Sequence, residues 1–114
     1  MTRPLVFFEI RGRDPQKLQE FYEAVFGWTF DNGSPGLRYI APGIGGPEGI
    51  GGVLTASDAP RVVVYVQVLD LVETLQKAES LGGAAIAQPV DVPGGPTIAQ
   101  MADPEGNIIG LVKQ

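Results

Sequence analysis

An internal repeat constrains the fold of this 114-residue chain more than any other feature of its sequence. An apolar strand candidate, Leu5–Ile10, precedes a helical stretch, Gln16–Phe26, and a similar pair recurs as Val62–Leu69 and the segment after Asp70. Matching features lie about 55 residues apart, a spacing at which neither copy of a repeat usually buries its apolar face alone. The two halves are therefore predicted to be modules of one domain.

Both predicted helices have start and stop signals. In the first half, Asp14 is the expected N-cap, Pro15 the first helical residue and Gly27 the stop. In the second half, Asp70 is the expected N-cap and Gly82-Gly83 the stop. Apolar residues recur at helical spacing, which predicts one buried face on each helix. These residues are Leu18, Phe21, Tyr22, Val25 and Phe26 in the first helix, and Leu71, Val72, Leu75, Ala78 and Leu81 in the second.

Each half has room for three more strands after its helix. The predicted segments are Trp28–Phe30, Leu37–Ala41 and a tail ending in Gly49–Leu54, then Ala84–Ala87, Thr97–Ala102 and a tail ending in Ile108–Val112. Each half is thus β-α-β-β-β, and the fold class is predicted as α+β. We expect one domain over residues 1–114, with a first module at about 1–54, a linker at 55–60 and a second module at about 61–114.

Two glycine- and proline-rich segments are interpreted as structural. Gly43–Gly52 lacks the Gly-Lys-Ser/Thr ending of a phosphate-binding loop and does not lead into a helix, so its glycines indicate turns and bulges. Pro89–Pro96 has the composition of a rigid loop.

Composition excludes several classes of function. There are no cysteines and no histidines, so a thiolate site, a disulfide and the commonest metal ligand and general base are all absent. The net charge of −5, with scattered Lys and Arg, argues against a nucleic-acid partner. No apolar run approaches the roughly 18 residues that span a bilayer, and no signal-peptide pattern precedes the first strand. We expect a soluble cytoplasmic protein with no membrane partner.

Several motifs resemble, in order and spacing, those of the vicinal oxygen chelate (glyoxalase/bleomycin-resistance/dioxygenase) superfamily. In the first half they are Asp14-Pro15 and Phe26-Gly27-Trp28; in the second they are Val68-Leu69-Asp70, Leu81-Gly82-Gly83 and Asp103-Pro104-Glu105-Gly106-Asn107. The resemblance covers essentially the whole chain. It implies curved mixed sheets around a shared cavity, with the helices on the outer face.

The same resemblance implies where a metal would be held. Metal-dependent members take ligands from the first and last strands of each module. These positions fall at Phe7 and Val63, at Gly52 or Val53, and at Gly110. None of these side chains can coordinate a divalent cation. We therefore expect a small two-module member without metal and without a cofactor.

Strand alternation predicts which residues line the cavity. Val6, Phe8 and Ile10 form an apolar face suited to packing on a helix, as do Val62, Val64, Val66 and Val68. The opposite faces, which carry Phe7 and Glu9 in the first module and Val63, Tyr65 and Gln67 in the second, should line the cavity. The same parity nominates Gln100, with Ile98 beside it, and also Gly110, while either Tyr39 or Arg38 could also reach in.

Glu9 is the candidate catalytic residue. One interpretation is a general base, or an anchor for a polar ligand group, in a partly apolar pocket. The alternative is a carboxylate that reaches water or pairs with Arg11 or Arg38. Other candidates have simpler interpretations: Trp28 as packing, and Asp103 as part of a turn.

Three functions remain open from the sequence. The first is metal-free binding of an unidentified small apolar or aromatic molecule by Phe7, Glu9, Val63, Tyr65, Gln67 and Gln100, without chemistry. The second is an enzyme of the superfamily, either a metal-dependent lyase or dioxygenase or a metal-free isomerase that uses Glu9. The third is a dimeric interaction or structural protein. A homodimer is expected in each case, and the ligand and any reaction are not indicated by the sequence.

Overall fold

The computed structural model describes residues 2–32, 37–41, 49–92 and 95–113. Eight strands and two helices occur in this part of the chain. They are β1 (Leu5–Gly12), α1 (Pro15–Phe26), β2 (Thr29–Asn32), β3 (Leu37–Ala41), β4 (Gly51–Ala56), β5 (Arg61–Val68), α2 (Leu71–Ser80), β6 (Ala84–Asp91), β7 (Thr97–Ala102) and β8 (Ile108–Lys113). The predicted α+β class and the β-α-β-β-β order of each half are confirmed. The interpretations of residues 43–48 and 93–94 lie outside the described residues.

The two modules have the same strand arrangement. The first, β1–β4 with α1, has the order β2-β3-β4-β1, and the second, β5–β8 with α2, has the order β5-β8-β7-β6. In each, the first and last strands pair in parallel, as β1 with β4 and β5 with β8. The other neighbours pair antiparallel. Each sheet is therefore mixed, and the first and last strands of a module lie side by side.

Backbone proximity divides the chain into two compact units. One unit is Val6–Val63, and the other contains the chain from Val64 onward together with the residues before Val6. Within the second unit, the backbone N–H of Gln67 donates to the Pro4 carbonyl at 2.9 Å. The residues before β1 are thus hydrogen-bonded to β5.

Helix α1 begins and ends where its sequence signals predict, but its apolar face is not buried as predicted. The Asp14 carboxylate accepts a hydrogen bond from the Lys17 N–H at 3.1 Å, and Gly27 ends the helix with a φ of 71°. No residue of α1 is fully buried, and Phe21, Val25 and Phe26 are each more than half exposed. The helix contacts its sheet along a narrow strip, so the flank that carries Phe21 and Val25 remains outside.

Helix α2 buries a narrower stripe than its pattern predicted. The Asp70 carboxylate caps it by accepting from the Glu73 N–H at 2.9 Å. Leu71 and Leu75 are buried, whereas Val72 and Leu81 are more than half exposed, contrary to prediction. The core of this module consists of Val68, Leu71, Leu75, Ala99 and Leu111, with Val66, Ala85 and Met101 packed against it.

Several strands are longer than predicted. Strand β4 continues through Thr55 and Ala56, residues that the sequence assigned to the linker, because their backbones pair with the end of β1. Strand β6 continues past Ala87 to Asp91 through two register shifts, despite Pro89. Pro89 is tolerated because β6 is the outermost strand of its module and the pairing with β7 is irregular between Ala87 and Val90.

Candidate functional site

Contacts within the first module decide which face of its sheet lies away from the helix. A Cβ added at Gly12 would meet the Leu18 side chain of α1, and a Cβ added at Gly52 would meet the Phe8 ring, whose centroid lies 5.6 Å from that of Trp28. Trp28 in turn stacks on Tyr22 of α1 at 5.2 Å. Even-numbered residues of β1 therefore face the helix, and Phe7, Glu9 and Arg11 lie on the opposite face.

Glu9 is a buried carboxylate with both oxygens engaged inside this module. Its exposed fraction is 8%. The Thr55 hydroxyl donates to Oε2 at 2.9 Å, and the Arg11 guanidinium donates to Oε1 at 3.1 Å. The interpretation of Glu9 as a partner of Arg11 matches this geometry, and 11% of its side chain is exposed. A role in catalysis or ligand binding stays a prediction.

Strand pairing in the first module places Tyr39 and Arg38 on opposite faces of the sheet. Tyr39 pairs with Val53, which pairs with Glu9, so these three residues share a face. Arg38 pairs with Leu54 and donates to the Gln16 side chain of α1 at 3.4 Å, which places it on the helix face. The residue that accompanies Glu9 is therefore Tyr39.

In the second module, the residues that pack on α2 define the other face by exclusion. Val66, Val68, Ala99, Met101 and Leu111 belong to or pack against the core that contains α2. By alternation, the opposite face carries Val63, Tyr65 and Gln67 on β5, Ile98 and Gln100 on β7, and Gly110 and Val112 on β8. The predicted parity of Gln100, Ile98 and Gly110 agrees with this placement.

Three of these residues form a row across three strands. Tyr65 pairs with Gly110, and Gly110 pairs with Gln100. Val63 and Tyr65 are buried, with 0% and 4% exposed, whereas Gln67 and Gln100 are half-buried. The two glutamine amides are therefore accessible polar groups on this face, and Arg61 at the exposed start of β5 has the same parity.

The Tyr65 ring lies directly over Gly110. A Cβ added at Gly110 would be 2.5 Å from Cδ2 and Cε2 of that ring, a separation that real contacts do not show. The ring thus occupies the space in which a side chain at position 110 would begin.

The residues at the family's metal-ligand positions do not fit a divalent cation. Phe7 and Val63 offer hydrocarbon side chains, and the last-strand residue on the Glu9 face is Val53, because Gly52 faces the helix. At Gly110 there is neither a donor nor room for one. No cluster of three or more acidic side chains that could hold a metal occurs within the described ranges.

Two other features lie away from these faces. A cleft of about 360 Å³ opens at the start of α2, and none of the predicted ligand-binding residues lines it.

The Asp103 carboxylate closes a turn by accepting from the Asn107 side chain at 2.8 Å and from the N–H groups of Asn107 and Glu105 at 2.9 Å. The Asn107 side chain first, then these backbone groups, hold the pKa of Asp103 below its ordinary value.

Sequence reasoning missed Thr55 as a partner of Glu9. Two features of the sequence indicate a strand position for Thr55: it is β-branched and directly follows Gly51–Leu54. It also lies two residues after Val53, and therefore on the same face of the strand. Assigning Thr55 to the linker removed it from consideration.

A model of the glyoxalase-like domain matches residues 7–112 of this chain. The chain belongs to the glyoxalase-like family. A curated relative of this glyoxalase-like chain, named "Putative glyoxylase CFP32" in Mycobacterium tuberculosis (strain CDC 1551 / Oshkosh), is 33% identical over 98% of the chain. The chain spans only 44% of that relative's length.

Solved structures show the same fold. A glyoxalase/bleomycin resistance protein/dioxygenase superfamily member from Vibrio splendidus 12B01 matches 99% of the glyoxalase-like chain and 100% of its own, with a TM-score of 0.66 and 17% identity. Methylmalonyl-CoA epimerase from Mycobacterium tuberculosis matches 96% and 86%, with a TM-score of 0.63 and 18% identity. The Mn(II)-bound glyoxalase from Novosphingobium aromaticivorans matches 97% and 38%, with a TM-score of 0.64 and 19% identity. At these identities, the likeness establishes the superfamily fold alone.

Neither helix described in the structure is long and apolar enough to cross a membrane.

Proposed function

We propose that this glyoxalase-like chain binds a small apolar or aromatic molecule, without metal, on the sheet face opposite α2. The observation that supports it is the composition of that face: buried Val63 and Tyr65, with the half-buried amides of Gln67 and Gln100 beside them. Ligand sites typically combine such apolar walls with a few polar groups that fix orientation.

The metal-free part of the proposal is supported by the donor set. The superfamily's ligand positions carry Phe7, Val53, Val63 and Gly110, and none of them supplies an oxygen or nitrogen donor from its side chain. Binding energy would come instead from apolar burial and from amide hydrogen bonds.

A thermal-shift screen of neutral aromatic and apolar compounds tests the binding function. A ligand at 100 times its Kd stabilises by about 2.7 kcal/mol, which corresponds to a shift of roughly 10 °C in a domain of this size. Gln100→Leu should reduce the shift caused by a hit, whereas Gln16→Leu, at an exposed position of α1 away from the proposed binding face, should not. No stabilisation by any compound would overturn the proposal.

A second candidate is a metal-free isomerase or lyase in which Glu9 moves a proton. A buried carboxylate on the sheet face favours it, as do the glyoxylase name of the relative and the epimerase among the structural neighbours. Glu9 would take a proton from a substrate carbon and return it, after exchanging the Thr55 or Arg11 hydrogen bond for the substrate. The test is turnover of methylmalonyl-CoA and of glyoxalase substrates: Glu9→Gln should abolish any activity found, and no activity on either would count against this candidate.

We also propose that the chain forms a homodimer. The exposed flank of α1, with Phe21 and Val25 more than half exposed, favours self-association. Sedimentation at micromolar concentration should show a dimer, and a monomer alone would overturn this part of the proposal.

A further inference from the structure

The contact between Tyr65 and Gly110 is a close aromatic–glycine pair across two strands, like that of Phe8 and Gly52 in the first module. Side chains in strands ordinarily stand away from the sheet. Here the Tyr65 ring instead leans onto its partner on β8, so closely that a Cβ on Gly110 would lie 2.5 Å from Cδ2 and Cε2 and 2.7 Å from Cγ. Only glycine at position 110 permits this arrangement.

Tyr65 is also the most enclosed aromatic residue of this face. Its exposed fraction is 4%, while Gln67 on the same strand and Gln100 at the end of the row are half-buried. The ring therefore fills interior volume and leaves the amides on either side accessible.

We infer that Tyr65 is a plug over Gly110 that sets the size limit of the ligand, and so is a specificity-determining residue. The inference rests on the proposed binding function for the ligand itself, but the plug is a property of the chain alone. With the ring in place, a ligand reaches Gln67 and Gln100 without entering the volume above Gly110. Removal of the ring opens space for one additional aromatic ring of about its own size.

Chemical complementation tests the plug directly. Tyr65→Ala should lower Tm by roughly 10–20 °C, as expected for removal of a buried aromatic side chain. The resulting apolar cavity should then bind p-cresol, which has the shape of the lost side chain, as engineered apolar cavities bind benzene. p-Cresol should therefore raise the Tm of the variant saturably by several degrees, with little effect on the wild type.

Tyr39→Ala is the matched control, because Tyr39 is 41% exposed and its removal leaves no enclosed cavity. It should show neither a large fall in Tm nor stabilisation by p-cresol. Equal responses to p-cresol in the wild type, Tyr65→Ala and Tyr39→Ala would overturn the inference.

Two further measurements keep the inference testable if Tyr65→Ala does not fold. In the wild type, the ring current of Tyr65 should shift the Gly110 Hα resonances upfield, and ordinary glycine shifts would refute the plug. Gly110→Ala should lower the Tm of the wild type by several degrees, because the new methyl group displaces the ring. An unchanged Tm would also refute it. A wild type that binds no compound in the screen, yet passes these tests, would overturn the binding function and leave the plug intact.

Discussion

Glu9 is a buried strand carboxylate. Its two oxygens accept hydrogen bonds from different strands, one from Arg11 on β1 and one from Thr55 on β4. Charge-assisted hydrogen bonds of this kind are stronger than neutral ones, and leaving a buried partner unpaired is costly. The group therefore joins the first and last strands of its module.

Glu9→Gln tests this role in stability. The amide nitrogen cannot accept a hydrogen bond, and the neutral side chain removes the ion pair between Glu9 and Arg11. We expect the free energy of unfolding to fall by about 1–3 kcal/mol, measured by urea denaturation. Thr55→Val should cost about 1 kcal/mol and Thr55→Ser less. Wild-type stability in Glu9→Gln would show that these hydrogen bonds contribute nothing.

Asp103 gives a prediction about pH. Its pKa is lowered in the folded state, chiefly by the Asn107 side chain, so its contribution to stability is present above the unfolded pKa of about 3.9 and is lost as pH falls through the folded pKa. The stability difference between the wild type and Asp103→Asn should therefore be largest near neutral pH and shrink in acid. Urea denaturation at several pH values measures it.

Asn107→Ala is the companion variant for this prediction. It removes the first cause of the shift, so the pKa of Asp103, followed by NMR titration of its carboxyl carbon, should rise toward the ordinary value. An unchanged pKa would mean that the backbone N–H groups alone set it.

At the residue scale, alternation along the strands predicted the positions of the candidate site residues better than the chemical type of their side chains did. It placed Phe7, Glu9, Tyr65 and Gln100 on the faces opposite the helices, because every second residue of a strand lies on the same side. It could not choose between Tyr39 and Arg38, since that choice depends on the register of β3 against β4. It also gave no sign that Tyr65 lies on Gly110, because a glycine within a strand indicates a close approach but not which side chain approaches it. That depends on the register of β5 against β8.

The two helices present a contrast at the scale of elements. Their sequences carry similar apolar patterns, yet Leu75 of α2 is 2% exposed and Phe21 of α1 is 56% exposed. Pattern alone shows that a helix is amphipathic. How much of the apolar face is covered depends on what packs against it.

This contrast predicts a difference between two truncations. Leu75→Ala should lower the free energy of unfolding by about 2–5 kcal/mol, because it empties a site in the core of the second module. Phe21→Ala removes a larger side chain but should cost less than about 1 kcal/mol in the monomer. Urea denaturation at low protein concentration compares them, and equal losses would contradict the packing described for α1.

Element boundaries were predictable where local chemistry sets them. Asp14 and Gly27 mark the ends of α1 because capping is decided within a turn of the helix. The ends of β4 and β6 were misplaced because they depend on pairing partners. Thr55 and Ala56 are in a strand because β1 lies beside them, and Pro89 is in a strand because its own strand has only one neighbour.

At the scale of the whole molecule, the repeat was the most reliable guide, since both halves have the same order of elements and the same strand arrangement. The repeat does not indicate an activity, because the same fold serves many functions.

The absence of oxygen and nitrogen donors from the side chains at positions 7, 53, 63 and 110 predicts how the protein responds to metal ions. Mn²⁺, Ni²⁺ or Zn²⁺ at millimolar concentration should leave Tm unchanged, and a chelator should do the same, because a cation stabilises only a state that binds it. Elemental analysis should find much less than one such metal per chain. A saturable rise in Tm with any of these cations would contradict the metal-free proposal.

The interrupted outer strand of the second module has a consequence for how copies of the chain behave in concentrated solution. An uninterrupted edge offers a row of free N–H and C=O groups on which another chain can add a strand. In β6, Pro89 removes one donor and two register shifts break the regular spacing of the rest. These irregularities disfavour the addition of further strands at this edge. A variant that makes β6 more regular, such as Pro89→Val, should therefore pair over a longer stretch but be less soluble.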